Sequence, residues 1–197
     1  MFAFLGFPLN IVLLSALITL GFYLAFIPGV GYVFNLLEML EIKGLGKVFP
    51  AKVTGFIANR LTLPGVILHE SVHAIIAFLT GAQVTDMSFL DVFKQGMLGH
   101  VDFVTNGSKL RQSLQLSLIS CAPVLFGCGY LTLTVMFLWK FCSVWWHYAL
   151  VIYFGISVVN HLSMSGADLK LYFKGIVFTC IVSFVIIFVI LLLYFMK

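Results

Sequence analysis

Residues 113–139 carry no charged side chain, and neither do residues 175–196. A helix needs about 20 apolar residues to cross the hydrocarbon core of a bilayer. Chain in lipid must also satisfy its backbone polar groups internally. Uncharged runs of this length restrict the chain to membrane-spanning helices. Composition agrees: of 197 residues, 62% are hydrophobic and 9% charged, where a soluble domain has about a quarter charged. A soluble globule and a disordered chain are both excluded. The net charge of +4 is spread thinly, with no basic block to suggest nucleic acid. A mild positive excess suits contact with anionic lipid.

Five spans are expected: Ala3–Ile27, about Leu61–Leu79, Ser113–Trp139, Phe141 to about Leu162, and Gly175–Met196. Thr62 can cap the second span and Pro64 fits its first turn, where a missing N–H costs nothing. Between the first two, residues 29–60 contain Val33, Phe34, Leu36, Leu37 and Leu40 at helical spacing beside Glu38 and Glu41. That pattern predicts a helix lying in the membrane interface. Gln83–Leu90 and Met97–Val104 read as two short strands around a turn at Asp91–Gly96. The fold class is an all-α polytopic membrane protein, with about five transmembrane helices and a short β-hairpin between spans 2 and 3. It divides into an N-terminal span with its interfacial segment (1–60), a core (61–174) and a C-terminal span (175–197). The start of the chain has no basic region and no small-residue cleavage site, so a retained first span is expected. Small size and the lack of appendages point to a prokaryotic cell membrane. Cys121, Cys128, Cys142 and Cys180 form no CxxC pair and read as free thiols.

The second span contains His69-Glu70-Ser71-Val72-His73. Histidines at i and i+4 lie one above the other on a helix face, so their imidazoles can converge on one metal. Glu70 beside them can take a proton from a metal-held water. This is the HExxH arrangement of zinc hydrolases. Three ionisable residues within five positions of an apolar span are costly and mark a functional site by default. The alternative is a structural hydrogen-bond cluster against another helix. A hydrolytic zinc needs a third protein ligand and an open position. Asp168 is the only acidic residue after Asp102. Ser163, Ser165 and Gly166 are expected to break the fourth span ahead of it, and broken backbone at membrane depth needs a wet or protein-lined cavity. Asp168 can equally cap the fifth helix, and the two roles are compatible.

These motifs resemble the site-2 protease class of intramembrane zinc metalloproteases. The matching parts are His69–His73, the hairpin over 82–105, Ala122-Pro123 in the third span, and the Asn160–Asp168 stretch. The resemblance covers residues 61–174 and marks a compact, divergent member. The family's Leu-Asp-Gly reads Ala167-Asp168-Leu169 here, and Ser163 and Ser165 stand where it has prolines. It implies a Zn²⁺ held by His69, His73 and Asp168, with Glu70 as general base and Asn160 as a donor to the reaction's oxyanion. The implied activity is hydrolysis of a peptide bond in a membrane-embedded protein substrate. An interhelical hydrogen bond remains open for Asn160. His100 reads as an interfacial hairpin residue or a contributor near the site. Two other classes also remain: a non-catalytic membrane assembly module, and hydrolysis of a lipid or other small amphiphile. A regulatory membrane partner or a homo-oligomer is compatible with all three. Lys and Arg divide six to five between the two faces, which sets no orientation; the resemblance places the hairpin side in the cytoplasm.

Overall fold

A computed structural model of the protein describes residues 2–89 and 99–195, the side chains of residues 2–9 and 59 excepted. Among these, four helices are long and apolar enough to cross a membrane: Asn10–Val48, Leu63–Thr80, Lys109–Phe141 and Gly166–Phe195. The architecture is an all-α polytopic one with a small two-stranded sheet. Large side chains such as Phe78, Val135 and Trp145 face outward, as a lipid environment requires.

The N-terminal region differs from expectation. Helix α1 (Phe2–Leu20), a wide π turn (Gly21–Phe26) and α2 (Ile27–Val48) run on without a break, so no separate interfacial helix begins at Gly29. The reason lies at Pro28. Its ring would clash with the carbonyl four residues back, and it has no N–H to give. The π turn absorbs this: Ile27 N–H reaches back to the Phe22 carbonyl. That leaves the Tyr23 carbonyl without a helical donor, and the Tyr172 hydroxyl from a distant helix donates to it at 2.6 Å. A residue that usually ends a helix instead ties two together. A short α3 (Ala51–Gly55) and a second π turn (Phe56–Leu61) follow.

Helix α4 (Leu63–Thr80) starts after Thr62 with Pro64 in its first turn, and it ends at Gly81, whose φ of 77° suits glycine. Thr62 occupies the cap position without capping. Its hydroxyl donates to the Ala58 carbonyl and accepts from His161 Nε2 at 2.8 Å. Strands β1 (Gln83–Ser88) and β2 (His100–Val104) pair antiparallel, with Gln83 opposite Val104 and Ser88 opposite His100, and a bulge between Val84 and Asp86. The expected turn at Asp91–Gly96 lies outside the described residues.

Helix α5 (Lys109–Met136) packs along α7 (Gly166–Phe195), where the Ser117 and Thr179 hydroxyls pair. Tyr172 and Ile176 of α7 bury against Cys121 and Ile27, while Val124 of α5 meets Val158 and Leu162. A Cβ on Gly127 would stand 2.6 Å from Leu162 Cδ1, so this position must stay small. At Gly129, two residues on, nothing lies within 4 Å of where a Cβ would be. All four cysteines are free thiols, and Cys121 is buried.

The expected fourth span is a 15-residue helix, α6 (Trp145–Val159), about 22 Å long against a hydrocarbon core of about 30 Å. Non-helical chain follows to Ser165. The next helix begins at Gly166 rather than Gly175, because Ser165 and Asp168 form a reciprocal cap. The Asp168 N–H donates to Ser165 Oγ at 3.1 Å, and Ser165 N–H donates to Asp168 Oδ2 at 3.1 Å. Asp168 therefore sits in the first turn of α7 instead of in unwound chain.

Candidate functional site

The i, i+4 spacing on α4 brings the two histidine rings to 4.8 Å between centroids. Each ring is then turned by a backbone carbonyl. His69 Nδ1–H donates to the His161 carbonyl at 2.6 Å, and His73 Nδ1–H donates to the Ile119 carbonyl at 2.8 Å. A carbonyl can only accept, so both protons are assigned to Nδ1. Both acceptors exist because a helix fails locally. Helix α6 stops at Val159, leaving the His161 carbonyl in irregular chain. Ile119 would be bonded within α5 by the amide of residue 123, but Pro123 has none.

With Nδ1 protonated, each neutral ring keeps a bare lone pair on Nε2. The two Nε2 atoms stand 3.1 Å apart. Asp168 from α7 brings its carboxylate to 3.4 Å from the His73 Nε2 and 3.9 Å from the His69 Nε2. Two lone pairs and an anion at these distances repel one another unless a proton or a metal ion lies between them. Zinc bonds of about 2.0–2.1 Å in a tetrahedron separate neighbouring ligand atoms by about 3.3 Å. The donor set and its spacing suit such an ion. His73 is buried, and His69 and Asp168 are nearly so.

Beside this cluster opens a cavity of about 580 Å³, whose lining includes His69, Glu70, His73, Asn160 and Asp168. Glu70 and Asn160 are 9% and 5% exposed. Among the described residues neither side chain makes a hydrogen bond, so both are available to a ligand. The five residues singled out from the sequence thus meet around one space. The hairpin forms another wall through Val101, Asp102 and Phe103 of β2. Gly99 brings the chain against Glu70: a Cβ there would stand 3.0 Å from the Glu70 Cγ.

His100 lines the cavity but belongs to a different group. Its Nε2 pairs with Asp86 Oδ2 at 3.2 Å, and Asp86, His100 and Asp102 gather on the exposed face of the sheet. The imidazole holds the Asp86 carboxyl below its ordinary value.

Three participants escaped the sequence reading. The carbonyls of His161 and Ile119 have no side-chain signature, although Pro123 marked the second. Glu38 was assigned to a separate interfacial helix; it lies late in the continuous Asn10–Val48 helix and lines the cavity. Ser163 Oγ donates to its carboxylate at 3.2 Å. An acidic residue three turns before a helix end gave no sign of which way it faced.

No protein-family model, no curated protein and no solved structure matches the chain.

Proposed function

We propose that this protein is an intramembrane zinc endopeptidase, a multi-pass protein of a cell membrane that cleaves a membrane-embedded protein substrate. One observation carries the reading: the Nε2 atoms of His69 and His73 converge with the Asp168 carboxylate beside Glu70, which makes no hydrogen bond among the described residues. His69, His73 and Asp168 would hold the zinc. In such a site zinc supplies Lewis acidity toward a carbonyl oxygen and a water.

The chain's own groups do the rest. Glu70, next in sequence to His69 and without a hydrogen bond among the described residues, takes the proton of the attacking water and passes it to the leaving amine. Asn160 offers its side-chain N–H to the oxygen that gains charge as the carbonyl is attacked. The His161 and Ile119 carbonyls hold the two imidazoles in one tautomer and one orientation. A substrate helix hides its amides in i to i−4 bonds and must unwind before attack. Strand β2 lines the cavity, and its edge away from β1 can hold the unwound segment by strand addition.

The test has two arms. Elemental analysis of detergent-purified protein is expected to find about one zinc per chain, lost in His73→Ala and Asp168→Ala. Glu70→Gln is expected to keep the zinc and lose cleavage. Cleavage that persists in Glu70→Gln refutes the mechanism, and a chain that stays metal-free after zinc is supplied refutes the site.

A further inference from the structure

Glu38 stands in the cavity wall and has no part in the chemistry above. We propose that Glu38 selects substrates carrying a basic side chain beside the bond to be cut. This rests on the endopeptidase reading and names its substrate class.

The charge of the cavity is the first ground. Glu38, Glu70, Asp102 and Asp168 line it, and among the described residues no Lys or Arg does. A divalent ion at the histidines would offset only two of these carboxylates. Glu38 is the partly buried one among them with no part in the proposed chemistry. It lies outside the cluster of converging ligand atoms, and its hydrogen-bond donor, the Ser163 hydroxyl, is neutral. Asp168 by contrast is held by Ser165 and faces both histidines, and Asp102 is exposed at the rim.

The second ground is that the cavity is built for a polar ligand. Asn160 and Glu70 are more than nine-tenths buried, line it, and make no hydrogen bond among the described residues. Its volume of about 580 Å³ lies within the usual range for ligand sites. Glu38 is half-buried, and an opposite charge beside it favours its ionised form. Among the described residues no Lys or Arg lines the cavity, and a basic side chain of the ligand supplies that charge. A Lys or Arg side chain meets Glu38 while the backbone beside it reaches the histidines.

Binding can be read without turnover. Zinc-loaded Glu70→Gln protein in liposomes is titrated with a fluorescent transmembrane peptide carrying a central Gly-Asn-Lys segment, and with the same peptide carrying Gln for Lys. The Lys peptide is expected to bind about tenfold more tightly, the scale of a partly desolvated charge pair. Adding Glu38→Gln brings the ratio to about one, whereas adding Ser163→Ala preserves it. A ratio unchanged by Glu38→Gln overturns the proposal, as does failure of both peptides to bind. Equal loss of preference in Ser163→Ala also overturns it, because Glu38 would then act by holding the 160–165 segment. A second zinc present in the parent and lost in Glu38→Gln overturns it in favour of a metal site. Cleavage is read separately with Glu70 intact. Peptides bound with preference but left uncut support the selectivity and remove the endopeptidase reading; peptides cut without preference do the reverse.

Discussion

His73 donates its Nδ1–H to the carbonyl of Ile119, 2.8 Å away in the neighbouring helix. That acceptor is free because position 123, one turn on, is proline. The proline therefore orients a histidine it does not touch. Pro123→Ala is expected to return the Ile119 carbonyl to its own helix and leave the His73 ring without its orienting partner. Loss of such a partner costs about 10–100-fold in metal affinity. A zinc competition titration checks this; unchanged affinity would show that the carbonyl serves both partners.

Asp168 caps α7 and is proposed as a zinc ligand, two roles that separate variants can divide. Ser165→Ala removes the reciprocal cap at the start of α7 and is expected to cost about 1 kcal/mol of stability while keeping zinc. Asp168→Asn keeps a cap acceptor but removes the anion, and zinc retention is expected to fall. Thermal unfolding and metal content, measured on both variants, should move in opposite proportion. If both fall together in each, the cap and the ligand role are not separable.

Gly65 lies where α4 meets the end of α6. A Cβ there would overlap the Ser157 carbonyl oxygen. The same contact is fixed by two hydrogen bonds, from the Gly65 N–H to Ser157 Oγ at 2.7 Å and from Ser157 Oγ–H to the Thr62 carbonyl at 2.8 Å. Gly65→Ala is expected to destabilise by about 1–3 kcal/mol through overpacking and to disturb the His161 segment behind His69. Gly129→Ala, in open space, is expected to stay within about 0.5 kcal/mol of the parent. Thermal melts in detergent compare the two.

The hairpin is expected to loosen in acid. His100 holds Asp86 below the ordinary carboxylate value of 3.8, so folding favours the ionised form. Its contribution is full above that value and fades as pH falls through the lower folded one. Asp102 stands opposite Asp86 in the register, and without the imidazole the two carboxylates repel. Protection of the β1 and β2 amides against exchange, relative to the unfolded chain at the same pH, should therefore fall below pH 3.8, and His100→Ala should abolish or invert that dependence. Protection in the variant that still falls over the same interval would assign it elsewhere.

Much of the architecture was legible because lipid admits few solutions. Uncharged runs had to become helices, and four long ones are present. The alternation in 83–104 read as strands, and the serines at 163 and 165 marked the break before α7. Boundaries were less accessible. The first span was expected to stop at Ile27, yet a π turn and the Tyr172 hydroxyl carry the helix through Pro28. Thr62 looked like a cap, yet its hydroxyl is taken by Ala58 and His161. In each case one partner, Tyr172 or His161, is distant in the chain.

The same division runs through the candidate site. His69, Glu70 and His73 lie within one turn and a residue, so helical geometry alone puts the imidazoles on one face and Glu70 beside them. Asp168 could be named from the scarcity of acids, but its approach to within 3.4 Å of His73 depends on α4 and α7 both packing on α5. Glu38 had no such marker. Local hydrogen-bonding rules act over a few residues and can be read along the chain. Which tautomer the histidines adopt, and which carboxylates face the cavity, follow from backbone carbonyls and helix crossings, set by packing between segments up to 149 residues apart.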